Sequence, residues 1–368
     1  MQIKSIDIFH ISIPVLKPLE TSFGIVDKRP LLIFQVETTD GVIGIGESSP
    51  LYVPISEKET LSHGLEILQQ RLPSLIGQSF DHPKDLRSFF AQLKDIPVSR
   101  LGLEGALYFA YAQSKKQTLQ QIFGGTNQHV EAGASIGLYP AIETIYDEID
   151  LALQQGLKRI KLKIKPGHDV NVVKAVRKKY PNIPLGVDAN ACYHEDELAS
   201  FIAMADCSLM FIEQPYHADA YEAHARLRTM VNTPICLDET IRDLKTTQKA
   251  IDTSACDIIN IKPARIGSYA ESIEIHDLCF QHGIPLFGGG RMESGLGKFF
   301  NIALYSLPGF TYPSDTSQPL EYFASDIMEP TFTLSNGYYS FPHSQEIIEG
   351  KFTDVLLRPY LIDTIHIV

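Results

Sequence analysis

The stretch RIKLKIKPG, residues 159–167, decides how the rest of the chain is read. Ile160, Leu162 and Ile164 alternate with Lys161 and Lys163, the period of a strand that carries both lysines on one side. Pro166-Gly167 then ends it, and Lys165, next to that turn, is given no role. Working outward, short apolar runs recur at 185–187, 209–212, 235–237, 258–261 and 284–287, with amphipathic helical stretches between them. Five polar residues stand at or near the ends of the first five runs: Lys163, Asp188, Glu213, Asp238 and Lys262, spaced 25, 25, 25 and 24 residues apart. Strand and helix in alternation are the pattern of βα units and a parallel sheet. An open doubly wound sheet shares the alternation, but its strand order reverses and would separate the series. A closed TIM-type (β/α) barrel keeps all five at one end, and residues 127–329 are read that way, in compact units.

Residues 1–126 have another texture. Strands are expected at 2–14 and 31–46, the second broken at Thr39-Asp40-Gly41. Helices follow. Ser56 and Glu59 have the spacing of a capping box ahead of Leu61, Leu65, Leu68 and Leu72, and further helices are read at 83–93 and 100–115. Gly124-Gly125 closes this α+β capping domain. Residues 330–368 resume strands at 331–334, 338–341 and 361–367, and are expected to return to it.

Composition narrows the functional classes. The 368 residues are 44% apolar and 21% charged, which excludes a disordered or fibrous chain. A net charge of −12 lacks the footprint for nucleic acid or anionic lipid, leaving a small molecule or other protein chains as partners. The first sixteen residues alternate as a strand does, unlike a secretory signal. The longest uncharged run, 299–314, includes Asn301, Pro308, Gly309 and Pro313 and falls short of a membrane span. Five scattered cysteines without a CxxC argue against disulfides and zinc, so a reducing cytoplasm is expected, with the cysteines as small apolar core groups. His168, His194, His217 and His224 show no ligand spacing and are read as solvated.

Asp188, Glu213 and Asp238 would aim three carboxylates at one point. Such anions repel unless a cation joins them, and hard oxygen ligands suit Mg²⁺, with Mn²⁺ as a substitute. Any one of the acids alone is equally well read as a helix cap. Three in register, flanked by lysines, favour chelation. A lysine beside a divalent cation and a second lysine has its pKa lowered and becomes a base near neutrality. Lys262 would approach the same cavity from the far side. Two amines on opposite faces of a metal-held carboxylate suit proton removal and return at its α-carbon.

The motifs KLK at 161–163, DAN at 188–190, EQP at 213–215, DE at 238–239, KP at 262–263 and GGGRMESG at 288–295 resemble the enolase superfamily. Lysines on both sides resemble its muconate cycloisomerase-like subgroup. TSFG at 21–24, GIGE at 44–47, PLY at 50–52, SIG at 135–137 and LPGFTYPSDTS at 307–317 are similar to the branch of o-succinylbenzoate synthases and N-succinylamino acid racemases. The resemblance implies an enolase-like modified barrel with a capping domain, and a Mg²⁺-dependent lyase acting on a small carboxylate. That reaction is dehydration of 2-succinyl-6-hydroxy-2,4-cyclohexadiene-1-carboxylate on the menaquinone route, with racemisation of N-succinylamino acids as the alternative. It implies Lys163 as base, Lys262 as the opposed cation or second base, and Asp188, Glu213 and Asp238 as metal ligands. Lys161, Asn190 and Glu239 match positions that back those residues. Phe23, Tyr52, Ser135, Arg265, Gly289, Gly290 and Arg291 match substrate contacts, and a homo-oligomer is expected. Two departures stand out: Arg291 where relatives usually have Met, and Ala264 where they commonly have Gly. Arg291 either pairs with the succinyl carboxylate or faces solvent.

Overall fold

The computed structural model describes residues 1–21, 24–54, 58–329, 331–340 and 357–368. Phe23 and Ser56 lie outside the described residues. Strand β1 (Ile3–Thr21) pairs antiparallel with β2 (Gly24–Thr38) from Ile3↔Thr38 to Thr21↔Gly24. The hairpin runs beyond the strands expected at 2–14 and 31–46, through Pro18 on one side and Pro30 on the other. The pairing register shifts between Pro14 and Leu19, an irregularity that lets a strand carry prolines. Strand β3 (Ile43–Ser48) follows a turn in which Gly41 takes a φ of 82°. The last strand, β13 (Leu361–Ile367), lies on the other side of β1, so the sheet runs β13-β1-β2-β3.

The helix Pro97–Lys115 covers this sheet and starts at its proline, three residues before the expected start. Residues 83–93 form one α turn, Arg87–Phe90, between 3₁₀ turns Pro83–Leu86 and Ala91–Leu93, and not a single helix. Helix Leu61–Arg71 is capped by Thr60, whose hydroxyl accepts from the His63 N–H at 3.3 Å.

A short strand β4 (His129–Glu131) leads to β5 (Ala134–Ile136), which the sequence reading did not assign as a strand. There follow β6 (Ile160–Lys163), β7 (Leu185–Asp188), β8 (Ile212–Glu213), β9 (Ile235–Leu237), β10 (Ile258–Ile261) and β11 (Leu286–Gly288). Strands β5 to β11 form one seven-stranded sheet in sequential order, every neighbouring pair parallel. An irregular segment, 309–315, bridges its two edges. On one side Thr311 N–H donates to Leu286 O at 3.0 Å and Asp315 N–H to Gly288 O at 2.8 Å. On the other, Gly133 N–H donates to Ser314 O at 2.9 Å and Ser314 N–H to Glu131 O at 2.8 Å.

Strand β12 (Tyr338–Ser340) pairs with β4 and not with the first sheet, and no strand forms at 331–334. The backbone there is spent on side chains, Leu334 N–H donating to Gln318 Oε1 at 3.1 Å. Among the described residues no helix is long and apolar enough to cross a membrane.

Two buried carboxylates join the layers. Glu47, at the end of β3, accepts from Ser294 N–H at 3.0 Å and Gly297 N–H at 3.2 Å, at the start of helix Gly295–Tyr305. Glu104, on helix Pro97–Lys115, accepts from Ser268 Oγ at 2.8 Å. The neighbouring Arg100 donates to Gly267 O and Ile266 O, both at 2.9 Å, pinning the short helix Pro263–Ile266 just after Lys262. Burial pushes both carboxyls up from 4.5 to about 7. A carboxyl raised on folding contributes stability that is full below about pH 4.5 and lost as pH rises through about 7. Thermal unfolding should therefore show Tm falling between pH 5 and 8, each acid contributing about 3 kcal/mol. Glu104→Gln should flatten that slope, and an unchanged slope would exclude Glu104 as its source.

Candidate active site

The β6–β9 pairing puts Lys163, Asp188, Glu213 and Cys236 level with one another. Asp238 stands two residues farther along its strand than that line, so equal spacing in sequence did not mean equal height. Successive strands of a curled sheet are staggered, which absorbs the difference. All three acids are buried.

Lys161 is the hub of the charges. Its Nζ donates to Glu213 Oε2 at 2.7 Å and to Asp315, and lies 3.4 Å from Asp188 Oδ2. Lys163 Nζ lies 2.6 Å from the same Asp188 oxygen and also donates to Asn190 Oδ1. Asn190 in turn donates from Nδ2 to Glu239 Oε1 at 3.0 Å. On the other side, Asp238 pairs with Arg265 and sits 3.1 Å from Lys262 Nζ. The structure thus brings together Lys161, Lys163, Asp188, Glu213, Asp238, Asn190, Glu239, Lys262 and Arg265.

Burial works to lower the Lys163 amine, but Asp188 overrides it and holds the amine above the ordinary lysine range; Lys161, among three carboxylates, is held well above it. With the acids as their nearest partners, both amines are held protonated. Asp188 is held below the usual carboxylate range by Lys163 and Lys161 against the effect of burial, and Asp238 likewise by Arg265 and Lys262. Glu213 goes the other way: burial, then the charges of Asp188 and Asp238, push it up to about 8.

Among the described residues no three acid, histidine or cysteine side chains are arranged as a metal-ligand cluster, since the lysines and Arg265 engage the acids' oxygens. In chemistry the residues do fit a hard divalent cation. Three buried carboxylates face one network of lysines, and Glu213 is raised by burial first and then by the charges of Asp188 and Asp238, a repulsion that such a cation relieves. Glu239 Oε2 is buried without a hydrogen-bond partner, and burial followed by Asp238 raises that carboxyl too.

The expected substrate contacts fare unevenly. Ser135 is exposed on β5, level with Lys161. Gly289 packs against Lys262, since a Cβ there would fall 2.8 Å from Lys262 Cε, and one on Gly290 would fall 2.2 Å from Asp315 O. Arg265 is buried against Asp238. Tyr52 is half exposed and turned to its own domain, its hydroxyl 3.2 Å from Ser12 Oγ. Arg291 is half-buried and not turned to solvent; its Nε donates to Ser49 O at 3.2 Å and its own carbonyl accepts from Arg29 at 3.0 Å, tying the turn after β11 to the end of β3. His224 is fully buried, its Nδ1 2.8 Å from Ala220 O, and so is not solvated. Cys192 is exposed and not a core residue.

Three residues of this network went unread in the sequence. Asn260 donates to Glu213 Oε1 at 2.7 Å, and the alternation in INIK, which puts it on the face of Lys262, was the available signal. Asp315 links Lys161 to Arg159, a fully buried guanidinium whose carbon lies 5.6 Å from the ring centre of Phe211 and 5.3 Å from that of Phe287. Arg159 shares the face of Lys161 and Lys163 in RIKLK, which was the available signal, whereas Asp315 had none, because it arrives on the irregular bridging segment.

Comparison with known proteins places this constellation. The mandelate racemase / muconate lactonizing enzyme N-terminal domain model matches residues 5–124, and the enolase C-terminal domain-like model matches 145–345. The chain belongs to the enolase superfamily. Similar members of the superfamily include an o-succinylbenzoate synthase of Bacillus subtilis, 38% identical over 92% of both chains. An N-succinylamino acid racemase of Thermus thermophilus is 36% identical over 93% of both. A crystal structure of an enolase superfamily member from Listeria innocua superposes with a TM-score of 0.94 at 31% identity, covering 100% of this chain and 99% of that one.

Proposed function

We propose that this enzyme is a Mg²⁺-dependent o-succinylbenzoate synthase, dehydrating 2-succinyl-6-hydroxy-2,4-cyclohexadiene-1-carboxylate on the menaquinone route. The sheet with bridged edges is read as the modified barrel, covered by the capping domain. The observation that carries the reading is Lys163 and Lys262 on the two sides of one buried acid cluster, each bound to a different acid of it. Asp188, Glu213 and Asp238 would hold Mg²⁺, which when bound supplies positive charge against the substrate carboxylate.

The chain's own residues then have distinct tasks. Lys163 must be neutral to take the α-proton, and Asp188 keeps it protonated; the amine becomes a base only where the charge of Asp188 is taken up by another partner. The ring C–H bond breaks toward Lys163, the C–O bond to the ring hydroxyl breaks on the same face, and the proton leaves with that hydroxyl as water. Lys262, as an ammonium ion on the opposite side, steadies the negative charge that develops on the substrate carboxylate.

Purified protein with Mg²⁺ should convert the cyclohexadiene substrate to the aromatic product, followed by its ultraviolet absorbance. The absence of product with Mg²⁺ and substrate saturating would defeat the reading. The second reading, N-succinylamino acid racemase, is favoured by the lysines on two sides together with the Thermus relative. In deuterium oxide, two efficient bases label the α-carbon of both enantiomers of an N-succinylamino acid. A synthase that uses Lys262 only as a cation labels one.

A further inference from the structure

The residue after Glu213 is a buried non-glycine in the left-handed region, Gln214 at a φ of 38°. A backbone of that kind persists where surrounding contacts over-determine it, and it marks a place where position matters. Every polar atom of Gln214 is committed. Its side-chain carbonyl accepts from Asp238 N–H at 2.9 Å and Thr240 N–H at 3.2 Å. Its amide donates to Thr240 Oγ1 at 2.9 Å and Tyr216 O at 3.0 Å. Its backbone N–H donates to Cys236 O at 2.9 Å, and its backbone carbonyl accepts from Ala191 N–H at 2.8 Å. Ala191 and Asn190, just past Asp188, are left-handed as well, at 60° and 42°. The three strand ends that carry Asp188, Glu213 and Asp238 are therefore tied through one side chain and its peptide group.

We infer that Gln214 is a positioning residue that sets the separation of the Glu213 and Asp238 carboxylates, and through it the affinity of the cluster for a divalent cation. The inference rests on the proposed Mg²⁺ site and adds a residue that touches neither metal nor substrate. A carboxylate in its place cannot donate to Thr240 and Tyr216, yet keeps the volume. Calorimetric titration of the full-length protein with MgCl₂ after EDTA treatment tests it. Gln214→Glu should weaken Mg²⁺ binding about tenfold or more, in line with the loss of outer partners at metal sites. A dissociation constant within twofold of wild type overturns the inference. Failure of the wild-type protein to bind Mg²⁺ would instead sink the underlying metal assignment, so the two outcomes are separable. If Gln214→Glu does not fold, Thr240→Val, which removes one acceptor of the Gln214 amide, carries the test: an affinity about threefold weaker supports the inference, and an unchanged one overturns it.

Discussion

Lys163→Ala should lower dehydration turnover by about 10² to 10⁴, the usual contribution of a positioned general base. The loss should come without unfolding. Lys163 has a side chain 30% exposed, and its removal leaves Asp188 with Lys161 at 3.4 Å. Mg²⁺ titration should be as tight as wild type or tighter, because one competitor for the Asp188 oxygen is gone. Lys161→Ala is the instructive contrast. That amine is buried among Glu213, Asp315 and Asp188, and its loss strands buried charge, at a cost of about 3–5 kcal/mol in stability. Turnover of Lys163→Ala within tenfold of wild type would remove Lys163 from the role of base; a collapse of its Tm would show that the activity loss is structural.

Gly46→Val should be the most disruptive single change in the capping domain. A Cβ at Gly46 would fall 2.1 Å from Gly102 O and 2.6 Å from Ala106 N, and one at Gly44 would fall 2.0 Å from Ala106 O. Strand β3 thus lies directly on the backbone of helix Pro97–Lys115, and neither backbone can give way as a flexible side chain would. A destabilisation of at least about 3 kcal/mol is expected, toward the severe end for overpacking, with a lower urea midpoint and reduced soluble yield. Glu47 follows immediately, so any surviving protein should also misplace the Ser294 contact. A urea midpoint equal to that of wild type would mean that the two elements can separate freely.

Strands β7, β9 and β10 were legible in the sequence because each is buried on both faces and reads as an apolar run closed by a polar residue, whereas β5, with Ser135 exposed, gave no such run. The polar residues at their ends could be named for the same reason. Height along the strand could not, since stagger between strands is a property of the sheet, and Asp238 proved to stand two residues farther than the line through Glu213. The far half of the β1–β2 hairpin was not read as strand, and the shift in register between Pro14 and Leu19 that it contains has no local signature. Arg291 was beyond sequence reasoning for another reason: its partner, Ser49, belongs to the other domain.

The pairing of Ile6 with Ile367 has a consequence for how the protein is made. Strand β1 leaves the ribosome about 340 residues ahead of its outer neighbour β13. At about 5–20 residues per second that interval lasts tens of seconds. During it one flank of the nascent β1 carries open N–H and C=O groups, the kind of edge that recruits foreign strands. The order of synthesis thus leaves the sheet of the cap incomplete until the seven parallel strands have been made, and a pause before Leu361 is translated would lengthen the period in which aggregation competes with completion.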